Sequence, residues 1–259
     1  MSLTGCNKRR NFIKQIATLG AISSLAPDAM SALPMPATNS KEGDGYTFLF
    51  QGDSITDGNR TRNNDWNHIM GHGYQYIIAS KLWYDFPEKG FHFFNRGISG
   101  NKVMDLAARW QTDTINLKPN LLSILVGIND IDMLLQCCDK KFTAALYEQE
   151  YRLLLKQTKQ QLPDTQLVLC EPFILPVGRI KDRWVEYAGE IEKRRKIVRQ
   201  LSVEFNALFV EFQTAFNNAL LKAPADYWIW DGIHPMPAGH ELMAKEWIKQ
   251  VSKKLKFIR

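Results

Sequence analysis

Three residues of this 259-residue chain have types and spacing suited to attack on an acyl carbon: Ser54, Asp231 and His234. Ser54 lies in Gly52-Asp53-Ser54-Ile55-Thr56, just after the apolar run Tyr46-Thr47-Phe48-Leu49-Phe50. Asp231 and His234 share the short stretch Asp231-Gly232-Ile233-His234-Pro235 near the other end of the chain. A neutral hydroxyl is a weak nucleophile and needs a base within hydrogen-bond reach. Histidine suits that task because its unperturbed pKa of about 6.5 leaves it mostly neutral near pH 7. A carboxylate three residues away can hold the other ring nitrogen and stabilise the imidazolium that forms. The tetrahedral intermediate also needs hydrogen-bond donors, each worth roughly 3 kcal/mol. Two further stretches supply them: Asn95-Arg96-Gly97-Ile98-Ser99-Gly100-Asn101 and Gly127-Ile128-Asn129-Asp130. The expected donors are the backbone N–H of Ser54, the backbone N–H of Gly100 and the side-chain amide of Asn129.

These stretches meet only if the elements before and after them share one edge. Short continuous apolar runs at Tyr46–Gln51, Phe91–Asn95, Leu121–Val126, Leu167–Cys170 and Leu208–Phe212 read as strands buried on both faces. Helical patterns lie between and after them, at Tyr74–Tyr84, Val103–Leu117, Phe142–Leu162, Ile191–Phe205 and Ala238–Leu255. Pro235 and Pro237 mark the start of the last helix. Strand alternating with helix predicts an α/β fold with a parallel sheet covered on both faces. Ligands of such sheets bind beyond the carboxyl ends of the strands, where all four stretches fall.

The four stretches resemble those of the SGNH hydrolases, also called GDSL esterases and lipases. The counterparts are Ser54 in Gly-Asp-Ser, Gly100, Asn129 in Gly-Ile-Asn-Asp and His234 in Asp-Gly-Ile-His, with Asp231 as third member of the triad. Each motif alone is weakly specific, but all four in order are strongly so. The similarity spans roughly residues 46–257. The resemblance implies a three-layer α/β/α sandwich of about five parallel strands, flavodoxin-like in type. It also implies a serine esterase acting through an acyl-enzyme. Gly97 and Gly100 share one stretch, and the family spacing from Asn95 assigns the donor to Gly100 and a turn to Gly97. A Gly-x-Ser-x-Gly elbow is not present around Ser54.

Composition narrows the partners. The chain is 45% hydrophobic and 23% charged, and no run of 18 apolar residues suggests a spanning helix. The net charge of +6 includes +3 within residues 1–37, leaving 29 basic against 26 acidic residues beyond. That balance is too mild for nucleic-acid binding, and no basic stripe interleaved with aromatics is present. Lys8-Arg9-Arg10-Asn11-Phe12-Ile13-Lys14, the apolar Ile16–Ala26 and the small residues beyond resemble a twin-arginine export signal. The expected organisation is an export segment over 1–37, a linker over 38–45 and the hydrolase domain over 46–259, with a periplasmic or secreted product. Cys6, Cys137, Cys138 and Cys170 form neither a disulfide framework nor a zinc spacing. No metal or cofactor is expected.

The remaining polar residues of these stretches have simpler readings. Asp53, Asn95 and Asp130 are expected to brace loops, and Ser54 could serve only as a helix cap. His68 and His72 read as solvated loop residues, His92 as part of a strand, and His240 as packing against or capping the last helix. The charge run Glu190–Arg195 reads as a solvated helix face. Trp66 and Trp230 are the expected substrate-binding aromatics. They suit stacking on a sugar ring, lining of a small acyl pocket, or plain packing. With no long apolar lid insertion, short acyl groups, acetyl above all, on a polysaccharide or its fragments are the expected substrate. The alternatives are a lysophospholipase- or thioesterase-like hydrolase of longer chains, and a non-catalytic binding protein on the same fold.

Overall fold

In the computed structural model of the protein, residues 42–63 and 65–259 are described. The expected export segment, and the linker up to residue 41, lie outside the described residues. Five parallel strands form one sheet: β1 (Thr47–Gly52), β2 (His92–Asn95), β3 (Leu121–Leu125), β4 (Gln166–Cys170) and β5 (Leu208–Val210). Their spatial order is β2-β1-β3-β4-β5, the flavodoxin-like order. Nine α-helices are described: α1 (Ser54–Asp57), α2 (Tyr74–Asp85), α3 (Val103–Asp113), α4 (Ile128–Leu135), α5 (Ala144–Gln161), α6 (Trp184–Glu204), α7 (Phe212–Ala219), α8 (Ala225–Trp228) and α9 (Pro237–Val251).

The strands are buried on both faces, and side-chain alternation sorts them into two cores. Phe48, Phe50, Leu121, Leu125, Val168 and Cys170 pack with Tyr74 and Ile78 of α2, Phe212 and Phe216 of α7, and Met243 and Trp247 of α9. Leu49, Leu122, Ile124, Leu167 and Leu169 pack with Leu106 and Trp110 of α3, Tyr151 and Leu155 of α5, and Val198 and Leu201 of α6. Helices on both sheet faces make the three-layer sandwich expected from the pattern.

The differences from the sequence reading have local causes. The fifth strand stops at Val210, and Phe212 opens α7 with a fully buried ring. Its apolarity fits either element; packing of its ring edge-on against Tyr74 and Phe173 decides. The Glu190–Arg195 run is not simply a solvated face. Arg194 is fully buried, donating to the Phe142 carbonyl at 3.0 Å and to the Glu190 carboxylate at 2.7 Å. Arg195 reaches the buried carboxylate of Glu171 at 2.9 Å. His240 caps neither end of its own helix. Its Nδ1 accepts the Tyr74 N–H at 3.1 Å, satisfying an orphan donor at the start of α2, where Gly73 offers no side chain. His92 lies in a strand, and Cys170 is a buried core residue, as read.

Candidate active site

Strand β1 delivers Ser54 to its carboxyl end, where Asp53 turns the chain into α1. The Asp53 carboxylate accepts the Ile55 N–H at 3.1 Å, so Ser54 is the first residue of the helix rather than its cap. Burial pushes the Asp53 carboxyl up to about 7, against the pull of the Ile55 N–H and the nearby His234. The position of Ser54 leaves its backbone N–H among the orphan donors of a helix start.

Asp231 and His234 sit in a tight loop closed by an antiparallel bridge between Ile229 and Pro235. Asp231 organises this loop. One carboxylate oxygen accepts the backbone N–H groups of Ile233 at 3.0 Å and His234 at 2.7 Å. The other lies 2.7 Å from His234 Nδ1. The opposite ring nitrogen, Nε2, lies 2.8 Å from Ser54 Oγ, across 180 residues of sequence. Burial opposes the charge of Asp231, but the bonds from the His234 ring and the two backbone N–H groups prevail and hold its pKa at about 2. The Asp231 bond raises the His234 pKa above its ordinary value, more than burial lowers it. A hydroxyl placed this way can hand its proton to Nε2 while a carboxylate anion faces the other side of the ring.

The other two stretches reach the same edge. Gly100 has φ +81°, a left-handed backbone that disfavours any residue with a Cβ. Gly97 is needed for a different reason: a Cβ there would lie 2.4 Å from the Asp57 backbone N, so the loop could not close on α1. Asn95 braces this turn, donating to the carbonyls of Thr56, Asp57 and Met70 and accepting the Gly97 N–H. Asn129 is the second residue of α4; its amide donates one bond to the Asn101 carbonyl at 3.1 Å, leaving its second N–H without a described acceptor. Both oxygens of the buried Asp130 face the Val103 N–H at 3.4 Å, tying α4 to the start of α3. Burial raises its pKa to about 7, against the charge of Arg194.

Two supporting groups lacked any motif. Asp57, buried at the end of α1, accepts from the Ser99 N–H and hydroxyl and from Arg62, and so ties the helix that begins at Ser54 to the residue before Gly100. Arg179 donates its backbone N–H to the Asp231 carbonyl at 3.1 Å, holds Asp132 at 2.8 Å, and brings Nε to 3.7 Å from Asp231 Oδ2. Only the three-residue step from Ser54 to Asp57 hinted at the first; nothing local signalled the second. Trp230, largely exposed, stacks over His234 with ring centroids 6.4 Å apart. Trp66, also exposed, lies in the loop after α1 beside a cavity lined by Arg60, Arg62 and Arg96. His68 is exposed and bonded to Asp65. Among the described residues, no group of three metal-ligating side chains gathers and no helix is long and apolar enough to cross a membrane.

The GDSL-like Lipase/Acylhydrolase family profile matches residues 50–242. An acetylxylan esterase of Geobacillus stearothermophilus is 34% identical over 223 residues, 82% of this chain and 96% of the relative. The solved structure of that esterase superposes with a TM-score of 0.72, covering 81% of this chain and 95% of its own. A Parabacteroides merdae protein described as a GDSL-like lipase superposes with a TM-score of 0.78 at 42% identity, covering 83% of this chain and 99% of its own. Catalytic mutants of the Geobacillus esterase carry alanine at a serine, an aspartate and a histidine, the last two three residues apart, as Asp231 and His234 are here. The chain therefore belongs to the GDSL-like lipase/acylhydrolase family and is a carboxylic ester hydrolase.

Proposed function

We propose that the protein is a serine esterase that removes acetyl groups from xylan or its fragments. Ser54 Oγ attacks the ester carbonyl carbon as His234 Nε2 takes its proton, and Asp231 stabilises the resulting imidazolium. The oxyanion is held by the N–H groups of Ser54 and Gly100 and by the Asn129 amide. Collapse of the intermediate expels the sugar hydroxyl, protonated by His234, and leaves an acetyl ester on Ser54. Water then attacks this ester, gives its proton to His234, and acetate departs with the Ser54 proton restored.

The observation that carries the mechanism is the pair of short contacts, 2.8 Å from Ser54 to His234 and 2.7 Å from His234 to Asp231. The 34% identity to an acetylxylan esterase across most of the chain supports the acetyl and carbohydrate parts. Hydrolysis of p-nitrophenyl acetate, butyrate and palmitate tests the acyl preference, and acetate release from acetylated xylan and pectin tests the alcohol. Acetate is expected to be the best of the three esters, with Ser54→Ala losing about 10⁴-fold or more of kcat. Preference for palmitate would move the reading to long-chain hydrolysis, and ester turnover independent of Ser54 would remove it. We further propose that the Arg9-Arg10 segment exports the chain; a shortened protein in the periplasmic fraction is the expected result, and a full-length cytoplasmic one contradicts it.

A further inference from the structure

A cavity of about 390 Å³ opens beside the loop that carries Gly100, lined by Arg60, Arg62, Trp66, Ile69, Phe94 and Arg96 among others. Three guanidinium groups meet there; Asp57 lies between them, and Asp113 also acts on Arg60. Arg62 pairs with Asp57 through both terminal nitrogens, at 2.7 and 3.1 Å. Arg60 is nine-tenths buried, yet among the described residues its side chain bonds only to the carbonyls of Gly97 at 3.0 Å and Thr61 at 3.4 Å. Burial, aided by the charges of Arg62 and Arg96, brings its pKa down to about 10. Arg96 is half-buried with its guanidinium 5.6 Å from the Phe94 ring centroid, and among the described residues it has no carboxylate partner. Asp65, in the same loop as Trp66, is bonded to His68. Charges withdrawn from water are normally paired, so two cations with no ion pair among the described residues, around one cavity, are complementary to an anion.

The walls add a second constraint. Trp66 is 72% exposed, and its large apolar face is left open beside the guanidinium groups. Aromatic faces combined with cations suit a ring that is apolar on one side and carries a carboxylate. The cavity also shares its framework with the catalytic edge. Asp57 ends the helix that Ser54 begins, and Arg60 holds the Gly97 carbonyl three residues before Gly100. We propose that this cavity is a subsite for a uronic acid, a sugar ring bearing a carboxylate, on the carbohydrate whose ester is cleaved at Ser54. The proposal rests on the carbohydrate-esterase reading for its choice of a sugar over another anionic ring.

Binding without turnover separates the two readings. The Ser54→Ala protein is titrated calorimetrically with two unacetylated xylo-oligosaccharides of equal length, one unbranched and one carrying a glucuronic acid branch. The branched sugar is expected to bind ~10-fold more tightly, a difference of about 1.4 kcal/mol. Adding Arg96→Gln brings the two affinities together, whereas Arg96→Lys retains part of the preference. Among the described residues the Arg96 guanidinium makes no hydrogen bond, so an unchanged melting temperature verifies that the variants are folded. Equal affinities in the Ser54→Ala protein, or a preference undiminished by Arg96→Gln, overturn the subsite. Displacement of the branched sugar by inorganic phosphate as effectively as by free glucuronate would make it a general anion site and overturn the sugar assignment. Loss of acetate release from neutral acetylated xylan by the parent enzyme would instead count against the esterase reading alone.

Discussion

At His234 a hydrogen bond and burial pull the protonation state in opposite directions. The bond to Asp231 raises its pKa, and burial opposes this less strongly. As the proposed base, His234 acts only when neutral, so activity is expected to fall as pH is lowered through a pKa that lies above the ordinary value of about 6.5. The kcat/KM profile on p-nitrophenyl acetate is therefore expected to show an acid limb with its midpoint above that value. Asp231→Asn removes the anion but leaves the burial, so the same limb should move to lower pH. This variant should lose about 10⁴-fold in kcat, against about 10⁶-fold for His234→Ala, because the imidazole is still present. A limb that does not move in Asp231→Asn would mean that a group other than His234 titrates. These residues were legible in sequence because each lies in a short motif with one chemical task. Arg179 and Asp57 were not, because their partners are distant in sequence or carry no motif of their own.

Between elements, the contact of α9 with α2 is where the sequence reading was weakest. His240 looked like a residue of its own helix, yet it serves the first turn of a neighbour through the Tyr74 N–H. Burial, with smaller contributions from His72 and His234, lowers its pKa to about 4, so it stays a neutral acceptor in the folded protein. Between about pH 6.5 and that folded value the unfolded chain binds this proton and the native state does not. Stability is then complete above the unfolded pKa and declines as pH falls through the window. His240→Ala should lose about 1 kcal/mol at pH 7, the ordinary worth of a cap, and flatten that decline. Urea denaturation at pH 7.5 and 5 measures both, and a parent protein equally stable at the two pH values, with His240→Ala matching it, would rule the cap out. Strand positions were readable to within about two residues because continuous apolar runs mark doubly buried strands. Helices α1, α4, α7 and α8 were not, since four to eight residues hold too few turns for a period of 3.6 to show.

Across the whole molecule the strand order places the chemistry. The order reverses at β1, whose neighbours are β2 and β3, so the loops bearing Ser54, Gly100 and Asn129 surround one crevice. Trp247 supports this arrangement from the core. It is fully buried against Phe48 and Phe50 of β1, and its indole N–H donates to Ser123 Oγ of β3 at 3.0 Å. Trp247→Ala should lower unfolding stability by about 3–5 kcal/mol, through lost burial, a cavity and the loss of the bond to Ser123 Oγ, which keeps its contact with Cys170 Sγ. Trp247→Phe should cost less, and equal losses in chemical denaturation would show that the cavity is not what matters.

The linear order of residues was enough to name the chemistry and the fold class, and to single out Ser54, Gly100, Asn129, Asp231 and His234 as the candidate groups. Nucleophile, base, acid and donors are each tied to a residue type and a short spacing, and apolar runs declare buried strands wherever they occur. Folding decided what depends on distance. It set the contact from Ser54 to His234 across 180 residues, the buried charge at Asp57 and the convergence of Arg60, Arg62 and Arg96 on one cavity. Electrostatic coupling and burial follow separation in space, and separation in space is set by which strands and helices pack together.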